Sequence, residues 1–380
     1  MSEYQYFEFL AIDRSLEPSE MASLRSLSTR AAITSTRFQN TYNFGDFKGS
    51  PGKLMDKYFD AHVYVSNWGI RRLLLRFPKG VADQDVLIQY SVDDVFSFRS
   101  TDELLIFEWE SNDESGDWVE GEGWMARLTP LRDEIERGDF RALYLGWLYA
   151  VSVGDVSEDR REPPVPPGLG SLTTAQLSLC EFMEIDPDFV RAAAVSSPPA
   201  EEASIAVSRM SQWVAGISKA ETEDYLLLLL EGKSREAERK IRQNFTAYLR
   251  DCDQAADVHS HKYGRSVSEL LKEVEKARAK RIERERLEKA RRADEQRKLR
   301  ERYLCELAKD FGRHWKKAHE LAQRGIASAY DETRNLLVDL SEAYSLRQQQ
   351  VEFSREIAQF RAACVRRGAL IKRLDNAGLK

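Results

Sequence analysis

The sequence predicts an α+β protein: an antiparallel-rich sheet head with flanking helices, then a small helical bundle, then a long coiled-coil-like helical hairpin. Three observations carry that expectation. Between Ala61 and Glu110, short strand-like runs alternate with tight turn signals, a pattern that favours antiparallel neighbours. The stretch Glu162-Pro-Pro-Val-Pro-Pro-Gly-Leu-Gly170 is a stiff polyproline-like strap ending in glycines, the composition of a boundary. From Ser266 to Arg324 there is no Pro, and Gly312 is the single Gly, so one helix of roughly 60 residues, about 90 Å, is allowed. The expected divisions are a head over 1–158, a linker over 159–171, a bundle over 172–255 and the hairpin over 262–380.

Each element has its own reason. Tyr4 and Tyr6 on one side and Phe7, Phe9 and Ala11 on the other make the first strand apolar on both faces, hence central in the sheet. Pro18 suits the first turn of a helix carrying Met21, Leu24 and Leu27. A Thr- and aromatic-rich strand over Ala32–Tyr42 leads into the Gly45–Gly52 loop and a short helix over Pro51–Tyr58. Strands are then expected at Ala61–Trp68, Ile70–Phe77, Asp85–Tyr90, Phe96–Arg99 and Leu104–Glu110, and helices at Pro130–Arg137 and Phe140–Val151. The second of these helices is apolar on most faces, which suits packing across a sheet.

Beyond the strap, helical patterns run over Leu172–Ile185, Pro187–Val195, Glu202–Ala215, Glu221–Leu230 and Ser234–Leu249. In the long helix, Arg278–Lys298 holds only Ile282 and Leu287 as large apolar residues, whereas Leu304, Leu307, Phe311, Trp315, Ala318 and Leu321 follow a 3-4 spacing. Its middle is expected to be solvated and its end to pack, with Gly325 permitting a reversal into an antiparallel helix over Ala329–Val365. A last short helix over Ala369–Asn376 is expected to be capped by Gly378.

The 380 residues carry 57 Lys and Arg against 63 Asp and Glu, a net charge of -6. That near-neutral total conceals an asymmetry. From His261 to Lys380 there are 30 basic and 19 acidic residues, and before it 27 basic and 44 acidic. The opening Met1-Ser-Glu-Tyr-Gln-Tyr-Phe lacks the cations and plain aliphatic run of a secretory signal. The longest aliphatic run, Tyr225–Leu230, is far too short to span a bilayer. Cys180, Cys252, Cys305 and Cys364 have no CxxC spacing and read as isolated reduced thiols. A cytoplasmic protein without a membrane partner is expected.

Four constellations bear on chemistry. Asp46, Lys48, Asp60, His62, Asn67, Trp68 and Arg71 are a dense polar and aromatic group in which loop glycines could let backbone N–H groups reach an anion. That loop has neither the GxxxxGK[ST] nor the GxGxxG order, so a structural turn is the competing reading. Glu110, Asp113, Glu114, Asp117, Glu120 and Glu122 form an acidic loop without calcium spacing, better read as solvated or as a dock for a basic partner. Cys252, His259 and His261 make at most an incomplete zinc set, and His314 and His319 are five apart on a helix. No metal or cofactor is expected. Arg278–Arg302 carries 12 basic and 6 acidic residues; Glu285, Glu288 and Asp294 stand four residues before Lys289, Arg292 and Lys298, an order that supports a solvated helix. The surplus, with Arg284, Arg291, Arg292 and Lys298 chosen as contacts, could instead line a nucleic-acid backbone. No aromatic residue lies within it for base stacking.

The segments Glu-Tyr-Gln-Tyr-Phe-Glu-Phe-Leu-Ala-Ile-Asp-Arg, Asn-Phe-Gly-Asp-Phe-Lys-Gly, Tyr-Phe-Asp-Ala-His-Val-Tyr and Ser-Asn-Trp-Gly, with the proline strap, resemble a group of uncharacterised bacterial proteins over roughly residues 1–190. The resemblance implies a bacterial cytoplasmic protein and brings no catalytic residue with it. The sequence therefore predicts a non-enzymatic interaction or scaffold protein that uses the C-terminal helices for partner docking or self-association. Two alternatives stand beside it: a sequence-nonspecific nucleic-acid accessory protein, of a defence system for example, and an enzyme with its site within residues 43–71.

Overall fold

The computed structural model describes residues 4–112, 119–199, 203–234 and 264–379, with most positions between 236 and 248. The chain divides into two compact units, Met1–Lys280 and Arg281–Lys380. In the first, the described residues form a seven-stranded sheet whose paired strands all run antiparallel, as the α+β class requires.

Strand β1 (Gln5–Leu10) lies between β3 (Arg37–Tyr42) and β4 (Ala61–Ser66), the central place its two apolar faces predict. On one side β2 (Ala32–Ile33) closes the sheet; on the other follow β5 (Ile70–Pro78), β7 (Leu104–Asn112) and, at the edge, β6 (Phe96–Ser100). The expected strand over 32–42 is interrupted because Ser35 and Thr36 turn their carbonyls away, to the N–H groups of Leu16 and Ala11. The expected strand over 85–90 is helix α3 (Gln84–Tyr90). Asp83 caps it by accepting the Asp85 N–H at 3.1 Å, and Leu87 and Tyr90 are buried at helical spacing.

Helices cover both faces of the sheet. Helices α1 (Pro18–Leu27) and α2 (Pro51–Lys57) lie over Phe7, Phe9, Phe38, Phe59, Tyr64 and Leu74. The opposite face, with Val63, Leu73, Phe77, Phe107 and Trp109, packs against α4 (Trp124–Leu128), α5 (Pro130–Glu136), α6 (Arg141–Val153), α7 (Thr174–Phe182) and α8 (Pro187–Ala194). Every residue of α6 from Ala142 to Val151 is buried. Gly146 is required there: a Cβ would stand 2.9 Å from the Trp109 ring and 3.1 Å from the Phe96 Cβ.

The proline strap, expected to separate domains, lies inside this unit. Glu162 is buried and accepts the Tyr144 hydroxyl at 2.5 Å and the Arg265 guanidinium at 2.7 and 3.0 Å, while Tyr90 donates to the Pro164 carbonyl at 2.7 Å. Helices α7 and α8 bury Leu179, Phe182 and Phe189 in the same core as the sheet. The expected bundle over 172–255 is therefore divided. Its first two helices belong to the head's core, whereas α9 (Ala203–Gly216), α10 (Lys219–Leu230) and the helical residues over 234–248 do not contribute to it.

Helix α11 (Val267–Leu307) begins in that core through Val267, Leu270 and Val274. It ends 17 residues before the sequence predicts, because Asp310 caps a new helix, α12 (Phe311–Gln323), by accepting the Arg313 N–H at 2.9 Å. The expected hairpin is accordingly a bundle in the second unit. The end of α11, α12, α13 (Ala327–Leu346), α14 (Gln350–Ala363) and α15 (Gly368–Asn376) enclose Leu304, Trp315, Leu337, Leu340, Phe353, Phe360 and Leu374. Gly325 at φ +72° permits the turn between α12 and α13, as its place in the sequence suggests.

Candidate functional site

Of the seven residues singled out between 43 and 71, three are buried, each in a different setting. Asp60 is fully buried; one carboxylate oxygen accepts the N–H groups of Ile12 and Asp13 at 2.6 and 3.0 Å, and the other accepts two donors of Arg76 at 3.0 and 2.6 Å. It fixes the chain leaving β1 to strand β5. His62 lies on the α1/α2 face, its ring stacked on Phe9 at 3.9 Å and its Nδ1 2.9 Å from the Glu8 carbonyl. Its Nε2 is buried without a partner, and burial pushes its pKa down to about 3, so the imidazole is neutral at physiological pH. Arg71 points to the opposite face, where it donates to the Phe182 carbonyl at 2.9 Å and to Glu184.

The other four lie at the surface. Asp46 accepts the Gln5 carboxamide at 3.0 Å, Lys48 is exposed on its loop, Asn67 accepts the Tyr4 N–H at 2.9 Å, and Trp68 occupies the β4–β5 turn. The arrangement separates His62 from Arg71 by the thickness of the sheet and gives Asp60 a structural task.

Asp60 nevertheless leads to a polar cleft of about 390 Å³ that the sequence does not reveal. Arg132, from α5, is buried beneath it, donating to the Arg76 carbonyl at 2.9 Å and to Asp13 at 2.7 Å. Glu136 and Arg137 line the cleft from the head, and Glu238 and Arg242, paired at 2.6 Å, line it from the helical residues over 234–248. Its charges alternate and answer one another. Thr129 offers the one hydroxyl, which donates to the Met125 carbonyl at 2.5 Å. An ionic group fits such a cleft, but no base stands beside a nucleophile. Asp13 and Arg132 are 119 positions apart in the chain, so no local pattern could have joined them.

The basic stretch of α11 has a different character. Among the described residues none between Val274 and Leu304 is buried. The helix stabilises itself through pairs along its own length: Arg281–Glu285 at 3.2 Å, Arg286–Glu283 at 3.5 Å, Arg291–Glu295 at 3.7 Å, Arg292–Glu288 at 4.0 Å and Asp294 with Arg297 and Lys298 at 2.5 and 2.7 Å. Of the contacts chosen from sequence, Arg291, Arg292 and Lys298 are thus paired within the helix, and Arg284 is exposed. At 100° per residue, Arg284, Arg291, Lys298 and Arg302 fall within about 40° of one another, a basic stripe along one side. Arg284, Arg291 and Lys298 are seven apart in the sequence, and Arg302, four residues beyond Lys298, falls on the same side.

In the acidic loop Glu110 pairs with Arg72 at 2.8 Å, while Asp113, Glu114 and Asp117 fall outside the described residues, as do Cys252, His259 and His261. His319 packs on Phe360. Among the described residues no group of His, Cys, Asp and Glu could hold a metal ion, and no helix is long and apolar enough to cross a membrane. Comparison with protein-family models, with curated proteins and with solved structures finds no match for this chain.

Proposed function

We propose that this chain is a non-enzymatic interaction protein of a bacterial cytoplasmic complex, docking an acidic partner surface along the basic stripe of α11. One observation carries the reading: a stretch of nearly 30 residues remains helical with none of its side chains buried. A helix polar on all sides survives on i, i+3 and i, i+4 pairs, each contributing a few tenths of a kcal/mol, and keeps its charged side chains at the surface. The separation of His62, Asp60 and Arg71 supports the non-enzymatic part.

The stripe also favours a second reading, sequence-nonspecific contact with nucleic-acid phosphates. Four cations on one side neutralise up to four phosphates, giving log K against log salt a slope between about −3 and −4. In either reading a partner's anionic groups displace the carboxylates that Arg291 and Lys298 already hold.

Cross-linking in host extract with and without nuclease separates the two. The variant Arg284→Glu, Arg291→Glu, Lys298→Glu, Arg302→Glu serves as the control, with circular dichroism confirming that it remains helical. Nuclease-resistant capture lost in this variant is the expected result. Nuclease-sensitive capture selects the second reading, and capture unchanged by the variant overturns both.

A further inference from the structure

Helix α12 gathers cations that no carboxylate answers. Its Trp315, Ala318, Leu321 and Ala322 are buried in the bundle, and every exposed residue from Gly312 to Arg324 is charged, Gln or Gly. At 100° per residue, Arg313, Lys316, Lys317 and Arg324 fall within about 100° of one another, on the side away from those four. Among the described residues none of these cations forms an ion pair, and Glu320 is the one carboxylate within the same arc. Arg367, just before α15, joins them at one end. Its Nη1 lies 3.7 Å from where a Cβ on Gly325 would stand, and it donates to the Tyr330 hydroxyl at 3.4 Å. Burial and the charges of Arg313 and Lys317 push the pKa of His314 down, with Asp310 pulling the other way, as in a positive local potential.

We infer that this face of α12 binds the backbone of double-stranded DNA, its cations meeting phosphates. Charge comes first. The cations are uncompensated, so phosphates bind without displacing a carboxylate, unlike at Arg291 and Lys298 of α11. The face also lacks the apolar centre around which a protein interface is built, whereas interfaces with nucleic acid are polar and strongly positive. A lipid surface does not fit, because the apolar side of α12, the side that would enter it, is enclosed in the bundle. The lengths agree: Arg313 to Arg324 covers about 16 Å, over which B-DNA places about five phosphates on each strand. No exposed aromatic residue stands on the face for base stacking, and no hydroxyl for a ribose 2′-OH. The contact is therefore with the backbone of a DNA duplex and blind to sequence.

The inference does not rest on the docking proposed for α11, whose residues lie on another helix. Fluorescence anisotropy of a labelled DNA duplex of about 20 base pairs, titrated with the full chain at several salt concentrations, tests it. Micromolar binding is expected at about 50 mM salt. Log K is expected to fall against log salt with a slope between about −3 and −4.5, for three to five phosphates neutralised. Arg313→Glu, Lys316→Glu, Lys317→Glu and Arg324→Glu together are expected to weaken binding at least about 100-fold. Lys316→Gln and Lys317→Gln, which leave helix propensity nearly unchanged, each lower the slope by about one. The Arg284→Glu, Arg291→Glu, Lys298→Glu, Arg302→Glu variant of α11 is expected to retain binding. Absence of binding at about 50 mM salt, binding that survives the α12 changes, or loss confined to the α11 variant overturns the inference. Displacement of the duplex by polyglutamate at equal charge concentration, or tighter binding to an RNA duplex of the same sequence, overturns the choice of DNA.

Discussion

Helix α6 and the run of five leucines that ends helix α10 meet opposite fates. In α6 ten consecutive residues are buried, from Ala142 to Val151; in α10 one is. Being an unbroken apolar run does not distinguish Leu226–Leu230 from Ala142–Val151 in α6, where only Gly146 and no charge interrupts it. What differs is the surroundings: α6 has the sheet below it, the proline strap beside it and α7 and α8 around it, whereas among the described residues α10 bonds to Lys240 and Asn244 and borders a cleft shared with α9. The difference teaches that an apolar run within a helix does not by itself predict burial, and that its neighbours decide whether it is covered.

The largest test of this contrast is a matched pair of truncations. Leu145→Ala is expected to destabilise the head by about 2–5 kcal/mol, through lost burial and the cavity left behind. Leu227→Ala is expected to stay within about 0.5 kcal/mol of the parent. Urea titration followed by tryptophan fluorescence checks both, and equal effects would erase the contrast.

Acidity sharpens it next. Burial holds the His62 pKa down at about 3, against 6.5 for the free side chain. Between those values the unfolded chain binds a proton that the folded head does not. Stability therefore falls as pH falls from 6.5 towards 3, by about 2–3 kcal/mol at pH 4.5. His62→Phe is expected to flatten that part of the pH–stability curve, a result read from melts at matched pH values.

The smallest effect probes the close packing of α6. Gly146→Ala adds a Cβ within 2.9 Å of the Trp109 ring, and is expected to cost about 1–2 kcal/mol despite the better helix propensity of alanine. A thermal melt that rises instead would mean that the Trp109 ring yields freely.

Much of the sheet was legible in the sequence because its signals are local. The two-faced alternation of Tyr6, Phe7 and Phe9 and the turns at Gly69 and Gly80 place β1, β4 and β5 without knowledge of anything distant. Residues 84–90 misled because Val86, Leu87 and Ile88 make a run compatible with either period, and the deciding cap, Asp83, is one residue. The strap misled more instructively. Its prolines speak of stiffness, which suits a linker and a packed brace equally, and the partners that make it a brace, Tyr144 and Arg265, lie 18 and 103 positions from Glu162. The same distance hid the polar cleft: Asp60 was visible as one of a group of polar residues, but Arg76, Arg132 and Asp13 were drawn to it only through folding.

The contact between Arg265 and the Ala192 carbonyl, 3.3 Å long, has a consequence for how the chain can change. It brings the end of α8 and the start of α11 within the reach of one side chain, so the core of the head closes upon itself across the stretch that separates them. Helices α9 and α10, with the residues that follow, are thus a cassette set into an otherwise continuous domain. Such a cassette can open locally while the brace at Glu162 holds the two ends of the host domain together.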